Sequence, residues 1–276
     1  MDNRQPFFPT NFHKDTAEII ADHFSKVPSV DTVLVVNSCA RGQAVPESDL
    51  DFAILVKNGT TPAEIKEIER SWKLYEERQP TIIKYKQTGP YAHLHLDIVD
   101  GCYTPDIMGD GEPIDYFEIK IGNEICYSAP MGIEGSYFRE LQNRWLPYYD
   151  EKLRLQRFTL ARNACIYDLD HIPIFIKREL YFHAFETLYK AFQEYLQTLF
   201  IAAKIYPIAY NKWIKEQIVK WLKRPDLYTK LSPILSLTNF ESDEINQKAD
   251  ELGSLLNGFG QYKVAMSVGE FVYHML

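Results

Sequence analysis

Asp49 and Asp51 are the side chains in this sequence best spaced for chemistry, set in the stretch Val33 to Val56, VLVVNSCARGQAVPESDLDFAILV. Side chains alternate along a strand, so the two carboxylates share one face while Leu50, Phe52 and Ile54 take the other. Like charges held side by side repel unless something positive lies between them, and the natural candidate is a divalent cation. Oxygen ligands suit Mg²⁺, which keeps several waters and takes further ligands from substrate phosphates. Just upstream, the small-residue turn Asn37-Ser38-Cys39-Ala40-Arg41-Gly42 offers the Ser38 hydroxyl, backbone N–H groups and the forked donors of Arg41 to phosphate oxygens. These parts together describe a site for a metal-bound nucleoside triphosphate.

The elements that must position them follow from local pattern. Val33 to Val36 and Phe52 to Val56 are apolar, β-branched-rich runs and are expected as the first two strands. Thr16 to Phe24 carries apolar residues at helical spacing, and Thr61-Pro62-Ala63-Glu64 is a helix start whose helix runs to about Glu77. Thr81 to Tyr85 and Ala92 to Val99 are expected as two more strands joined by a turn at 87 to 90, with Tyr116 to Ile121 adding an edge strand. The result is a mixed sheet with helices on one side. On the Ala92 to Val99 strand, His93, His95 and Asp97 share a face. No water-activating Glu motif accompanies them, so a zinc cluster is disfavoured and His95 is read as a structural or substrate-contacting ring. Asp106, Asp110, Glu112 and Asp115 lack EF-hand spacing and are read as a solvated loop.

Asn37-Ser38, ten residues, then Asp49-Leu50-Asp51 resembles the signature of the polymerase-β-type nucleotidyltransferases. In that family a Gly-Ser or Gly-Gly turn is followed by Asp-x-Asp on the next strand. Ala40-Arg41-Gly42 and Ser48 are similar to the antibiotic-modifying members, those acting on aminoglycosides and lincosamides. Asn37 stands where the family usually has glycine, and asparagine tolerates the left-handed backbone better than most residues. The resemblance implies Asp49 and Asp51 as metal ligands, Ser38 and Arg41 as phosphate contacts, and a third carboxylate on a neighbouring strand. Asp97 stands in the matching context, either completing the metal site or taking the proton from an attacking hydroxyl.

From about Ser136 the character changes to long amphipathic segments, Ser136 to Leu160, Ile174 to Lys204, Tyr210 to Leu222 and Ser242 to Asn257, with His171-Ile172-Pro173 as a break. The expected fold is therefore α+β. A nucleotidyltransferase domain over residues 1–135 has a mixed β-sheet with flanking helices, and a helical bundle follows over 136–276. Phe182, Phe185, Tyr189, Phe192, Tyr195 and Phe200 read mainly as core packing, though flat rings also suit a nucleobase or a drug ring. By the same resemblance, the helical domain closes over the nucleotide. Lys204, in Lys204-Ile205-Tyr206-Pro207, is then a phosphate contact, and Glu179 is an alternative base to Asp97. Lys204 equally suits a helix C-terminus, and Glu179 an ion pair with Arg178.

The chain has 276 residues, 46% of them hydrophobic, a net charge of −8 and a pI near 5.4. That length buries a sizeable core, and the acidic balance disfavours nucleic acid, whose binding needs basic stripes. Cys39, Cys102, Cys126 and Cys165 form no CxxC pair, and no apolar run of membrane-spanning length or charged-then-apolar leader is seen. A cytoplasmic protein is expected. Its partners would be Mg²⁺, ATP or another nucleoside triphosphate and a small hydroxyl-bearing acceptor, with no nucleic acid or membrane and with a homodimer compatible. The competing expectation is a non-catalytic nucleotide-binding or antitoxin-like regulatory protein of the same build.

Overall fold

The computed structural model describes residues 5–105, 115–132 and 134–259. Asp106, Asp110 and Glu112 lie outside these residues. The described residues fold into two compact units, one made of the segments to Pro105 and from Tyr116 to Tyr149, the other of Asp115 and the described residues from Asp150 onward. The fold is α+β, with a four-stranded mixed sheet in the first unit and helices in the second.

In the first unit, helix α1 (Asn11–Ser25) precedes strand β1 (Val30–Val35), and a short turn of helix α2 (Asn37–Ala40) leads to β2 (Leu50–Val56). Helices α3 (Pro62–Glu76) and α4 (Pro80–Lys86) come before β3 (Leu94–Val99). The strand order is β3-β2-β1-β4, where β4 is Ala129–Met131. Strand β1 runs antiparallel to both β2 and β4, whereas β2 and β3 are parallel. Phe52, Ile54 and Val56 join Val33 and Val35 on one face, where Ile20 and Phe24 of α1, Ile68 and Trp72 of α3 and Ile82 and Tyr85 of α4 complete a core. Leu34, Ala53 and Leu55 point the other way and are buried as well. Helix α6 (Ser136–Trp145) packs against β1 outside that first cluster, so the helices are not confined to one side.

Local chemistry explains the boundaries. Helix α3 starts on a capping box, the Thr61 hydroxyl accepting from Glu64 N–H while the Glu64 carboxylate accepts from Thr61 N–H, with Pro62 at the first turn. Asp31 of β1 caps α6 from a distance in sequence, its carboxylate accepting from Tyr137 N–H (3.1 Å) and Phe138 N–H (3.0 Å). A Cβ on Gly135 would lie 2.2 Å from that carboxyl group, so the close approach requires glycine.

Two expected strands are helices instead. Thr81 to Tyr85 belongs to α4, because Pro80 and the Gln79 side chain start a helix and because Ile82 and Tyr85, three apart, are the residues that bury. Tyr116 to Ile121 contains α5 (Phe117–Ile121), followed by a π-helical turn at Gly122–Cys126. Strand alternation would have put Glu118 in solvent, but it is fully buried and accepts a hydrogen bond from Tyr149 Oη at 2.9 Å. Tertiary context overrides propensity there.

The second unit is built on α7 (Glu151–Lys177) and α8 (Tyr181–Ala203), packed along their length and joined by α11 (Glu244–Asn257). Between them lie α9 (Ile214–Glu216), a second π-helical turn at Gln217–Trp221 and α10 (Pro225–Leu231). The expected helix from Ser136 to Leu160 is two helices, α6 and α7. Pro147 disfavours the helical conformation of Leu146, which is extended (φ −106°, ψ 147°). Pro173, expected as a break, lies inside α7, which ends four residues later. Phe192, Tyr195 and Phe200 are core residues, while Phe182 is exposed and meets Phe240 at 4.9 Å between ring centroids. Asp115 accepts from both terminal nitrogens of Arg157 (2.7 and 2.5 Å) and from Gln197 Nε2 (3.0 Å), all three side chains buried. Among the described residues, no helix is long and apolar enough to cross a membrane.

Candidate functional site

The site lies in the first unit, where the turn after β1 meets the starts of β2 and β3. Parallel pairing sets Asp51 opposite His95 and Ala53 opposite Asp97, so all of these side chains occupy one face. Among the described residues, Asp49, Asp51 and His95 form a group whose ligand atoms all lie within 4.8 Å of one another. The His95 Nε2 to Asp49 Oδ2 distance is 3.7 Å, with 62% and 45% of the respective side chains exposed. Asp51 is buried, at 8% exposure. Two carboxylates and an imidazole within this reach fit a divalent cation, since ligands about 2.0–2.2 Å from one ion stand up to about 4.4 Å apart. The Asp49 and His95 side chains are open to solvent and have room to turn toward a shared ion.

The residue before the pair is fixed from three directions. Ser48 C=O accepts from His13 Nε2 (2.9 Å) and Tyr85 Oη (3.4 Å), and the second nitrogen of His13 pairs with the Thr10 hydroxyl (2.8 Å). A carbonyl only accepts, so His13 Nε2 carries a proton. Ser48 N–H donates to Val45 C=O while the Ser48 hydroxyl accepts from Val45 N–H, closing the loop. Leu50 N–H donates to His93 C=O and Val36 N–H to Asp51 C=O, both at 3.0 Å, which ties the pair to both neighbouring strands.

Asn37, where the family pattern has glycine, takes the left-handed backbone at φ 57°. Ser38 Oγ is buried and, among the described residues, has no hydrogen-bond partner beyond a weak contact with the Cys39 thiol. An orphaned hydroxyl is costly, and a ligand oxygen would satisfy it. Arg41 reaches Asn123 Oδ1 of the π-helical turn at 3.5 Å. Burial, followed by the charges of Asp51 and Asp49, pushes the Cys39 thiol up to about 12, so it stays protonated at neutral pH. Tyr85 is raised mainly by burial, with further contributions from Cys39, Asp49 and Asp51.

Asp97 is exposed one pleat further along β3 and is not a member of the three-residue group. It lies near a carboxyl group that sequence reasoning passed over. Glu124, on the same π-helical turn as Asn123, accepts from Tyr103 Oη at 2.8 Å. Burial raises the Glu124 carboxyl above its ordinary range; Tyr103 and Lys120 oppose the rise, and Asp97 and Asp100 add to it. No spacing motif linked Glu124 to Asp97. For His95 the signal was present in the shared face with Asp97, but parallel register with β2 was needed to bring it beside Asp51.

Glu179 and Lys204 belong to the second unit. Glu179 has left-handed backbone (φ 58°) in the turn between α7 and α8. Lys204, also left-handed (φ 55°), ends α8, and its ammonium is 2.9 Å from Glu151 Oε2. Hydrogen bonds from Arg154 and then Lys204 hold the exposed Glu151 carboxyl down at about 2.

No protein-family model matches the chain, and no curated protein matches it. Among solved structures, it is similar to a nucleotidyltransferase-like protein from Exiguobacterium sibiricum 255-15. That likeness has 13% identity and a TM-score of 0.44, over 90% of this chain and 76% of the other.

Proposed function

We propose that the chain transfers a nucleoside monophosphate, AMP in the first instance, from a nucleoside triphosphate to a hydroxyl of a small molecule. The observation that carries this reading is the convergence of Asp49, Asp51 and His95 beside the Ser38–Arg41 turn. Asp49 and Asp51 would hold Mg²⁺, which when bound neutralises triphosphate charge and orients the leaving group. The buried Ser38 hydroxyl donates to a phosphate oxygen, and the Arg41 guanidinium adds a second set of donors. Asp97 takes the proton of the acceptor hydroxyl as its oxygen forms a bond to the α-phosphorus. The α–β bridging bond breaks in line, and pyrophosphate leaves. Lys204 as counter-charge to pyrophosphate and Glu179 as alternative base to Asp97 are part of the same proposal, each read by its own substitution. Positioning and charge neutralisation supply the catalysis, with no covalent enzyme intermediate.

For the acceptor, the net charge of −8 supports a cationic compound such as an aminoglycoside through electrostatic steering, and a lincosamide is a second hydroxyl-bearing class to try beside it. The test is pyrophosphate release from MgATP against a panel of both compound classes, comparing wild type with Asp51→Asn. Acceptor-dependent release in the wild type, reduced about a hundredfold or more in Asp51→Asn, supports transfer. Nucleotide binding with no release against any acceptor favours the non-catalytic relative instead.

A further inference from the structure

We infer that His95 is a direct metal ligand, and that this makes the site a mixed oxygen–nitrogen site preferring a borderline first-row ion such as Mn²⁺ or Co²⁺ over Mg²⁺. The inference rests on the metal site of the proposed transferase and adds the identity of its third donor and its preferred ion.

The register gives His95 this position. It is the cross-strand partner of Asp51 on parallel β2 and β3, so its ring rises from the same face one strand away. Its Nε2 lies 3.7 Å from Asp49 Oδ2, a few tenths of an ångström beyond the roughly 3.4 Å between two ligands of one tetrahedral ion and short of the roughly 4.2 Å between opposite ligands of an octahedral one. The ring is 62% exposed, so it can turn to face the ion without disturbing the core. His93 is on the same face but outside the group. Its ring centroid is 6.2 Å from that of His95, and its backbone carbonyl already accepts from Leu50 N–H and Tyr85 Oη.

Donor chemistry then selects the ion. Mg²⁺ is a hard cation that takes oxygen almost exclusively and gains little from an imidazole. Along the first-row series, nitrogen donors raise affinity for Mn²⁺, Co²⁺ and later ions progressively, while the two carboxylates retain the hard-ligand character that Mn²⁺ accepts. The Cys39 thiol, though close by, is buried, is directed at Asp49 C=O (4.0 Å) and lies outside the three-residue group, so no sulfur competes to pull the site toward softer ions.

The decisive measurement is pulsed electron paramagnetic resonance of Mn²⁺ bound to the full chain, with and without a non-hydrolysable ATP analogue. A directly bound imidazole nitrogen gives a ¹⁴N coupling. The expected result is that coupling in the wild type, retained in His93→Ala and lost in His95→Ala, with Mn²⁺ affinity falling about tenfold or more in His95→Ala. His95→Asp converts the donor set to oxygen and is expected to shift relative affinity toward Mg²⁺. Mn²⁺ that binds without ¹⁴N coupling and is lost in Asp51→Asn overturns the His95 inference while leaving the transferase reading intact. A wild type that binds no Mn²⁺ at millimolar levels, with or without nucleotide, overturns both. The wild-type spectrum alone decides nitrogen ligation, so a variant that fails to fold does not blur the result.

Discussion

Replacing Glu194 with glutamine is expected to stabilise the protein, and by an amount that depends on pH in a specific direction. Glu194 on α8 is fully buried opposite Asp168 of α7, also buried, with Lys190 Nζ lying 3.2 Å from Asp168 Oδ2 and 4.0 Å from Glu194 Oε1. One ammonium between two carboxyl groups cannot neutralise both. Burial, then the negative charge of Asp168, pushes the Glu194 carboxyl up to about 9, against a pull in the other direction from Lys190. At neutral pH the folded chain therefore holds a proton that the unfolded chain has released. A carboxyl whose folded value is raised gives most stability below its unfolded value of 4.5; that stability falls as pH rises toward 9 and is lost above it. Two and a half pH units separate pH 7 from the unfolded value, and each is worth about 1.4 kcal/mol, so the wild type is weakened by roughly 3 to 4 kcal/mol relative to its acid limit.

Glutamine is neutral in both states and can still donate to Asp168, so Glu194→Gln removes this cost. Urea unfolding of both proteins at pH 5, 6, 7 and 8, followed by circular dichroism, measures it. The variant is expected to be close to the wild type at pH 5 and roughly 3 to 4 kcal/mol more stable at pH 7, with an unchanged denaturant slope. Asp168 is raised too, chiefly by burial, so a shallower slope of the same sign persists in the variant. A stability difference that is constant across the four pH values refutes the shared-proton account. So does a variant less stable than the wild type at pH 8.

Other substitutions test the scaffold. Gly135→Ala forces a methyl group against the Asp31 carboxyl that caps α6, and is expected to cost about 1–2 kcal/mol in chemical denaturation, with Gly135→Ser no better. Asp115→Ala leaves the Arg157 guanidinium buried beside Gln197 without its carboxylate; a loss of about 3–5 kcal/mol is expected, and partial recovery in Asp115→Ala/Arg157→Leu would show that the stranded charge is the cause.

How much of this was legible before the structure depends on the range of the interactions involved. The carboxylate pair at the start of β2, the turn before it and the α3 start are local patterns: Asp49 and Asp51 lie within one group, Asn37 takes the left-handed backbone, and Thr61 and Glu64 form the box. Thr81 to Tyr85 is strand-like in composition but helical in the fold, because Pro80 starts a helix and Ile82 and Tyr85, three apart, share its buried face. Tyr116 to Ile121 failed because alternation assumes solvent on one face, and Tyr149 supplies Glu118 with a buried partner from 31 residues away. The helix break moved from Pro173 to Pro147 for a positional reason. A proline near the end of a long helix costs one hydrogen bond, whereas one between two amphipathic segments also excludes its predecessor from helical geometry. His95 required knowledge of strand direction, which no local window contains.

Strand direction is also what makes the site possible. The start of β2 carries Asp51 and the start of β3 carries His95, and parallel pairing puts both starts at one edge of the sheet. Were β3 antiparallel to β2, its first residues would lie at the far end of a six-residue strand, about 15–20 Å away, and an acid from elsewhere would have to complete the group. Strand β1, by contrast, must be antiparallel, because only then does its exit bring Ser38 and Arg41 to the same edge. The helices α3 and α4 that make the parallel crossover therefore have a structural task at the site. Through the one hydroxyl hydrogen of Tyr85, shared between Ser48 C=O (3.4 Å) and His93 C=O (3.3 Å), α4 also ties together the residues that precede Asp49 and His95. Tyr85→Phe removes that tie and leaves the core ring in place. It is expected to leave folding within about 1.5 kcal/mol of the wild type while weakening Mn²⁺ binding severalfold, as measured by calorimetry. Unchanged metal affinity in a well-folded Tyr85→Phe would mean that Asp49 is positioned by the strand alone.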